Sequence, residues 1–363
     1  MRNSGMWRNG SAILALLAGT GAAWAEVPRV AADITPVHGL VARVMQGLGE
    51  PALVVPPGAS PHGYSMRPSE ARALDQADLV FWLGEALTPW LHGPLEELAG
   101  GAHRVELLEA TGTTVLPFRE GARFEAHAHD GNEEDHADQD GHDAHEDHDD
   151  HGHEEHAEGH EDHDDHEAHE DPAEKDGHSD HGDHDDHAHG HHHDGTDPHA
   201  WLLPANAQAW LDVIAEELAE HDPGNAAAYK ANAEAGKQEI ADTVASVSAA
   251  LEPFRAKQFI VFHDAYQYFE RGFGLNAAGA ISIGDASKPG PARIAEMRDV
   301  VADLKVACVF SEPQFNPGVV ATVLDGTGAG TAVLDPLGAK LEAGPQFYPA
   351  LLQDIGAAIA GCK

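Results

Sequence analysis

The chain predicts an α/β protein of two open-sheet lobes joined by one long, rigid helix, with a metal site in the cleft between the lobes. Three observations carry this architecture. Short apolar runs alternate with amphipathic, Ala- and Leu-rich stretches in two separate series, the βαβα pattern of mostly parallel sheets covered by helices. Between the series stands a long stretch rich in Ala, Glu, Lys and Gln, with Pro only at its ends, which suits a continuous helix. A tract over residues 126–194, dominated by His, Asp and Glu, interrupts the first series, and helical sequence resumes directly after it.

In the first series, residues 30–34, 52–55, 79–83 and 105–107 read as strands, with helices over 39–47, 70–76 and 90–98. Residues 204–221 read as helix until Asp222-Pro223-Gly224 breaks it, since Pro supplies no amide hydrogen and Gly accepts a turn. The connecting helix covers about 225–251. The second series places strands at 259–262, 308–310 and 332–334, and helices at 264–271, 291–304, 317–325 and 348–360. The expected organisation is a first lobe over 26–222 with a disordered loop at 126–194, a connecting helix within 223–251, and a second lobe over 252–363.

Residues 1–25 read as an export signal: Arg2 and Arg8 precede an apolar run, and Ala23-Trp24-Ala25 offers a small-residue cleavage site before Glu26. The run is too short for the roughly 20 residues a membrane span needs. The expected product, cleaved after Ala25, is an exported, soluble, periplasmic monomer. Cys308 and Cys362 are the only cysteines; in an oxidising compartment they most simply form one disulfide, tying the C-terminal end to a core strand.

The formal charge is −41. Residues 126–194 contribute 28 acids against one base, Lys175, leaving −14 for the rest. Neither part offers the basic surface that nucleic acid requires, so the expected partners are cations or proteins that receive them. The same tract holds 21 of the 28 histidines. Imidazole and carboxylate bind first-row divalent cations, and the lack of thiols points to zinc, copper, nickel or cobalt. Acids alone would serve a merely solubilising insert, whereas neutral imidazole adds little charge and ligates metal readily. The tract reads as a gatherer of metal at loose, fluctuating sites.

Seven histidines lie outside it: His38, His62, His92, His103, His199, His221 and His263. His62 and His263 follow apolar runs, as does Asp335, and His199 follows the tract within Asp197-Pro198-His199. His62, His263 and Asp335 thus fall just past the C-terminal ends of expected strands, where open α/β sheets place their ligand crevices. Each could instead serve as a cap or loop support; several together, beside a metal-gathering tract, favour ligation. Three imidazoles and one carboxylate or water complete a tetrahedral zinc shell. Drawn from both lobes, they would let the metal bridge a closed form.

These residues resemble the metal-binding cluster of periplasmic solute-binding proteins that feed ABC importers, and within it the zinc-binding members. The matching stretches are 58–69 (GASPHGYSMRPS), 197–202 (DPHAWL), 259–270 (FIVFHDAYQYFE), 308–315 (CVFSEPQF) and 334–338 (LDPLG), beside a His-rich loop in the same place. The resemblance implies that His62, His199 and His263 ligate Zn²⁺, with a fourth contact from Asp335, water or another carboxylate. It also implies the Cys308–Cys362 bridge, a connecting helix that restricts lobe movement, and a membrane permease as partner. Manganese-binding relatives tend to carry Glu at the position of His263, so imidazole there favours zinc. His38 is expected to support or cap rather than ligate. Glu312, following a strand, could hydrogen-bond a ligand histidine and fix its tautomer. His92, His103 and His221 read as surface residues.

Two rival classes are weighed. An enzyme would need a base beside the metal, and the chain holds no HExxH, no GxSxG elbow and no Walker-type loop. A periplasmic storage or buffering protein would bind many metals with similar affinity through the tract. A receptor for manganese or copper is the nearest alternative within the transport reading. The expectation is a high-affinity zinc receptor that catalyses no reaction, with the tract gathering zinc or sensing its abundance.

Overall fold

A computed structural model describes residues 27–119, 123–124, 195–282 and 289–362. The expected signal, its cleavage site and the His-rich tract lie outside the described residues. Among those described, two four-stranded parallel sheets form the frame.

The first lobe runs β1 (Val30–Ala32), α1 (Thr35–Val44), β2 (Ala52–Leu53), α2 (Pro68–Asp75), β3 (Leu79–Trp82), α3 (His92–Glu97) and β4 (His103–Glu106). Its strand order is β2-β1-β3-β4. All of β1 is buried, with Val30 and Ala32 in one apolar cluster and Ala31 in another, the two-sided burial of a strand covered on both faces. Helix α1 starts four residues earlier than the sequence pattern indicated. Pro36 lies in its first turn, after Ile34 in extended conformation, where a missing amide hydrogen costs nothing.

A short antiparallel ribbon follows, β5 (Leu116–Pro117) with β6 (Thr196–Asp197). It brings together the chain just before and just after the tract. Asn206 holds this region to α4 (Pro204–His221), accepting from the Thr114 amide at 2.8 Å and donating to the Thr114 carbonyl at 2.9 Å. Helix α5 (Ala226–Leu251) has 26 residues and so runs about 39 Å. Its buried positions Tyr229, Ala233, Gly236, Ile240, Thr243, Val247 and Leu251 form one stripe at helical spacing.

The second lobe contains β7 (Phe259–His263), α6 (Gln267–Phe273), β8 (Ala277–Ser282), α7 (Pro291–Asp303), β9 (Cys308–Ser311), α8 (Pro317–Leu324), β10 (Gly330–Val333) and α9 (Phe347–Gly361). The strand order is β10-β9-β7-β8. Helix α5 packs on α1 and α4 of the first lobe and on α9 of the second. Arg43 in α1 donates to Glu239 in α5 at 2.9 and 3.0 Å. Gly356 lets α9 approach closely, since a Cβ there would lie 2.6 Å from Val247 Cγ1. A disulfide joins Cys362, after α9, to Cys308 at the head of β9, with Cα atoms 6.2 Å apart. No helix among the described residues is long and apolar enough to cross a membrane.

Candidate metal centre

Each of three histidines is placed by the segment that carries it. His62 lies in the segment after β2, where the Trp90 indole donates to the Pro61 carbonyl at 2.7 Å. His199 immediately precedes a short 3-10 turn, Ala200–Leu202. Asp197 accepts from the His199 amide at 2.9 Å and from its Nδ1–H at 2.7 Å through one oxygen. His263 ends β7, and Glu312 accepts from its amide at 3.3 Å and from its Nδ1–H at 2.8 Å. A carboxylate on Nδ1 places the proton there and leaves Nε2 as the metal-facing atom.

One ligand atom from each of His62, His199 and His263 lies within 4.8 Å of the others. The Nε2 atoms of His199 and His263 are 3.3 Å apart. Two nitrogens about 2.05 Å from a tetrahedral zinc ion are separated by about 3.3 Å, so this spacing is already that of a ligand pair. The His62 ring centroid is 5.4 Å from that of His199 and 6.3 Å from that of His263. Trp201, Phe315, Pro336 and Leu337 help wall a cavity of about 20 Å³ at this point, room for roughly one ion or water. Phe315 stacks on Phe262 and leans on His263, with centroids 4.4 and 5.5 Å apart.

Asp335 is buried but does not belong to the histidine group. Its carboxylate accepts from the amides of Leu337 and Gly338 at 3.1 Å, from Ala339 at 2.7 Å and from Gln314 Nε2 at 3.1 Å. Those bonds hold the turn after β10. His38 sits in α1 with Nε2 at 3.0 Å from the Pro51 carbonyl, and burial holds its pKa below the usual value. It neither joins the cluster nor touches one of its histidines through that bond.

The surroundings favour a cation. Asp197, Asp264, Glu270, Glu312 and Asp335 are all buried, against the largely buried guanidinium of Arg119. The Tyr266 hydroxyl, pushed well above its ordinary pKa by burial and then by Glu312 and Asp335, stays neutral. Elsewhere, an open groove of about 640 Å³ is lined by Glu85, His92, Glu96, Glu106 and Glu217 among others. Its side chains bring no three ligand atoms together, since the three histidines are the group found among the described residues. Asp197 lies in the DPHAWL stretch two residues before His199, and that spacing is the one mark the sequence gives of its role. Arg119 carried no signal, because its partners lie 145 and 151 residues away.

A family model described as ZnuA, zinc-uptake complex component A periplasmic, matches residues 30–362. The high-affinity zinc uptake system protein ZnuA of Brucella abortus (strain 2308) is 45% identical over 352 residues, 97% of this chain and 96% of that protein. Its counterpart in Paracoccus denitrificans (strain Pd 1222) is 42% identical over 360 residues, 98% and 99%. A crystal structure of ZnuA superposes with a TM-score of 0.65 at 20% identity, over 93% of this chain and 99% of that one. The periplasmic zinc binding protein TroA from Treponema pallidum gives 0.64 at 17% identity, over 92% and 98%. At those identities the two structures show a shared fold.

Proposed function

The chain belongs to the ZnuA family of periplasmic zinc-uptake components, and on that premise we propose that it is the zinc-binding receptor of an ABC importer. One observation carries the reading at the level of residues: His62 and His199 from the first lobe converge with His263 from the second. Zn²⁺ is cargo. It is held by these three imidazoles, with the fourth position taken by water or by Asp335, whose Oδ1 takes three donors while its Oδ2 accepts one bond, from Ala339. An ion bound by both lobes stabilises their closed arrangement.

The protein works as a monomer in the periplasm after cleavage behind Ala25, and docks on a membrane permease to which it yields the ion. It is a carrier and not an enzyme. Its working parts are a first lobe over 26–222, a connecting segment over 223–251 and a second lobe over 252–363. The tract at 126–194 gathers zinc or signals its abundance. Affinity falls in acid, because zinc competes with protons for the ligand imidazoles.

Competitive zinc titration of the mature chain, of a version lacking 126–194 and of His263→Ala tests this. The expected result is one tight site that survives the deletion and is lost with His263→Ala. Tight binding that disappears with the tract but survives His263→Ala would instead assign the protein to storage.

A further inference from the structure

Arg119 follows β5 by two residues, and its side chain is only 11% exposed. It donates to Asp264 from Nε at 3.0 Å and through a close Nη2 contact, and to Glu270 at 2.9 and 3.0 Å. Phe124 covers the guanidinium at 3.8 Å. One cation thus holds two buried carboxylates, both in the second lobe, from a segment anchored to α4 in the first. Asp264 is the residue after His263, and Glu270 lies in α6, the helix that His263 leads into.

Neighbouring contacts act on the same helix. The Tyr268 hydroxyl accepts from the Leu116 amide at 2.7 Å and donates to the Asp197 carbonyl at 2.8 Å. Gln267 donates to the Pro117 carbonyl at 2.9 Å and to the Asp197 carboxylate, whose other oxygen holds His199. The ribbon therefore carries His199 at one end and grips the helix of His263 with both strands. Asp264 and Glu270, deprived of Arg119, would confront each other as uncompensated buried charges. Without the Arg119 tether α6 is held less tightly against the ribbon, and a ligand set loses binding when its members drift by more than about 0.5 Å.

We propose that Arg119 is a positioning residue for zinc capture: its clamp on Asp264 and Glu270 sets the separation of His199 and His263 across the cleft. This rests on the crevice being the zinc site. Arg119 touches no ion and supplies no ligand. Its guanidinium fork suits two carboxylates at once, which a lysine ammonium matches only as a point charge.

The test uses the full mature chain, with competitive zinc titration and the visible spectrum of the cobalt-loaded protein. Variants are Arg119→Gln, Arg119→Lys, and Arg43→Gln as a control that breaks another ion pair, from the buried Arg43 to the half-buried Glu239. Arg119→Gln is expected to weaken zinc binding about tenfold or more, the scale seen when outer partners of metal ligands are removed, and to alter the cobalt bands. Arg119→Lys should recover part of both, and Arg43→Gln should lower thermal stability while keeping zinc affinity. Affinity and cobalt spectrum unchanged in Arg119→Gln would overturn the proposal, as would an equal loss of affinity in Arg43→Gln. Should Arg119→Gln not fold, Arg119→Lys decides alone: weakened binding supports the clamp and wild-type binding refutes it. A wild-type chain whose tight site ignores His263→Ala overturns this inference together with the receptor reading.

Discussion

Replacing Glu312 by Gln keeps the shape of the side chain that orients His263 and removes its charge. Glu312 Oε1 lies 2.8 Å from His263 Nδ1, which puts it about 6.5 Å from an ion bound on the far side of the ring. At an effective dielectric of about 20, a carboxylate and a divalent ion attract by about 5 kcal/mol at that distance. Two effects reduce the net loss. The amide oxygen still accepts the Nδ1–H bond, and a neutral group no longer opposes burial. The remainder should fall near about 1.4–2.7 kcal/mol, a 10- to 100-fold weaker zinc affinity. Glu312 Oε2 has no hydrogen-bond partner among the described residues, so an amide nitrogen there is buried without an acceptor and the variant should also melt earlier. The assay is competition against a chelator of known zinc affinity, in the version lacking 126–194 so that weaker sites do not contribute. A dissociation constant within about twofold of the parent would refute the claim that Glu312 tunes the site through His263.

Three further outcomes follow from the frame. Burial raises the Asp33 carboxyl to about 7 despite amide bonds from Leu83 and Ile34; stability tied to its neutral form is full below the unfolded value of 3.8 and lost as pH rises through about 7. The metal-free protein should lose about 3 kcal/mol from this group between about pH 5 and pH 8, and denaturant titrations of Asp33→Asn should lack that part of the slope. Removing the Cys308–Cys362 bridge, which spans 54 positions, should cost about 4 kcal/mol by loop entropy; denaturation of Cys308→Ala/Cys362→Ala reports it, with zinc affinity kept. Gly356→Ala should cost about 1–3 kcal/mol, because its Cβ overlaps Val247 of α5, and a thermal melt without zinc measures it.

The parallel sheets were legible because each central strand is a compact apolar run, as in Leu79–Trp82 and Phe259–His263. β8 was not: Ala-Ala-Gly-Ala-Ile-Ser carries one β-branched residue, and burial between neighbours, not local preference, makes it a strand. The ribbon of β5 and β6 has two residues per strand, too few for any periodicity. The three histidines stood out because they lie beyond or at the end of apolar runs or follow the tract, and the fold brings one candidate ligand atom of each together. Asp335 showed the same signal, and its carboxylate also organises a turn; strand-end placement alone does not assign either role. Partnerships across the cleft, such as Arg119 with Glu270, depend on how the lobes meet and leave no mark on local sequence.

The most direct measurement is zinc K-edge X-ray absorption on the mature chain lacking 126–194, loaded with one equivalent of zinc. The expected spectrum shows three imidazoles and one oxygen around the ion, with one imidazole fewer in His263→Ala. A shell without three imidazoles, or one unchanged by His263→Ala, would contradict a zinc site built from His62, His199 and His263.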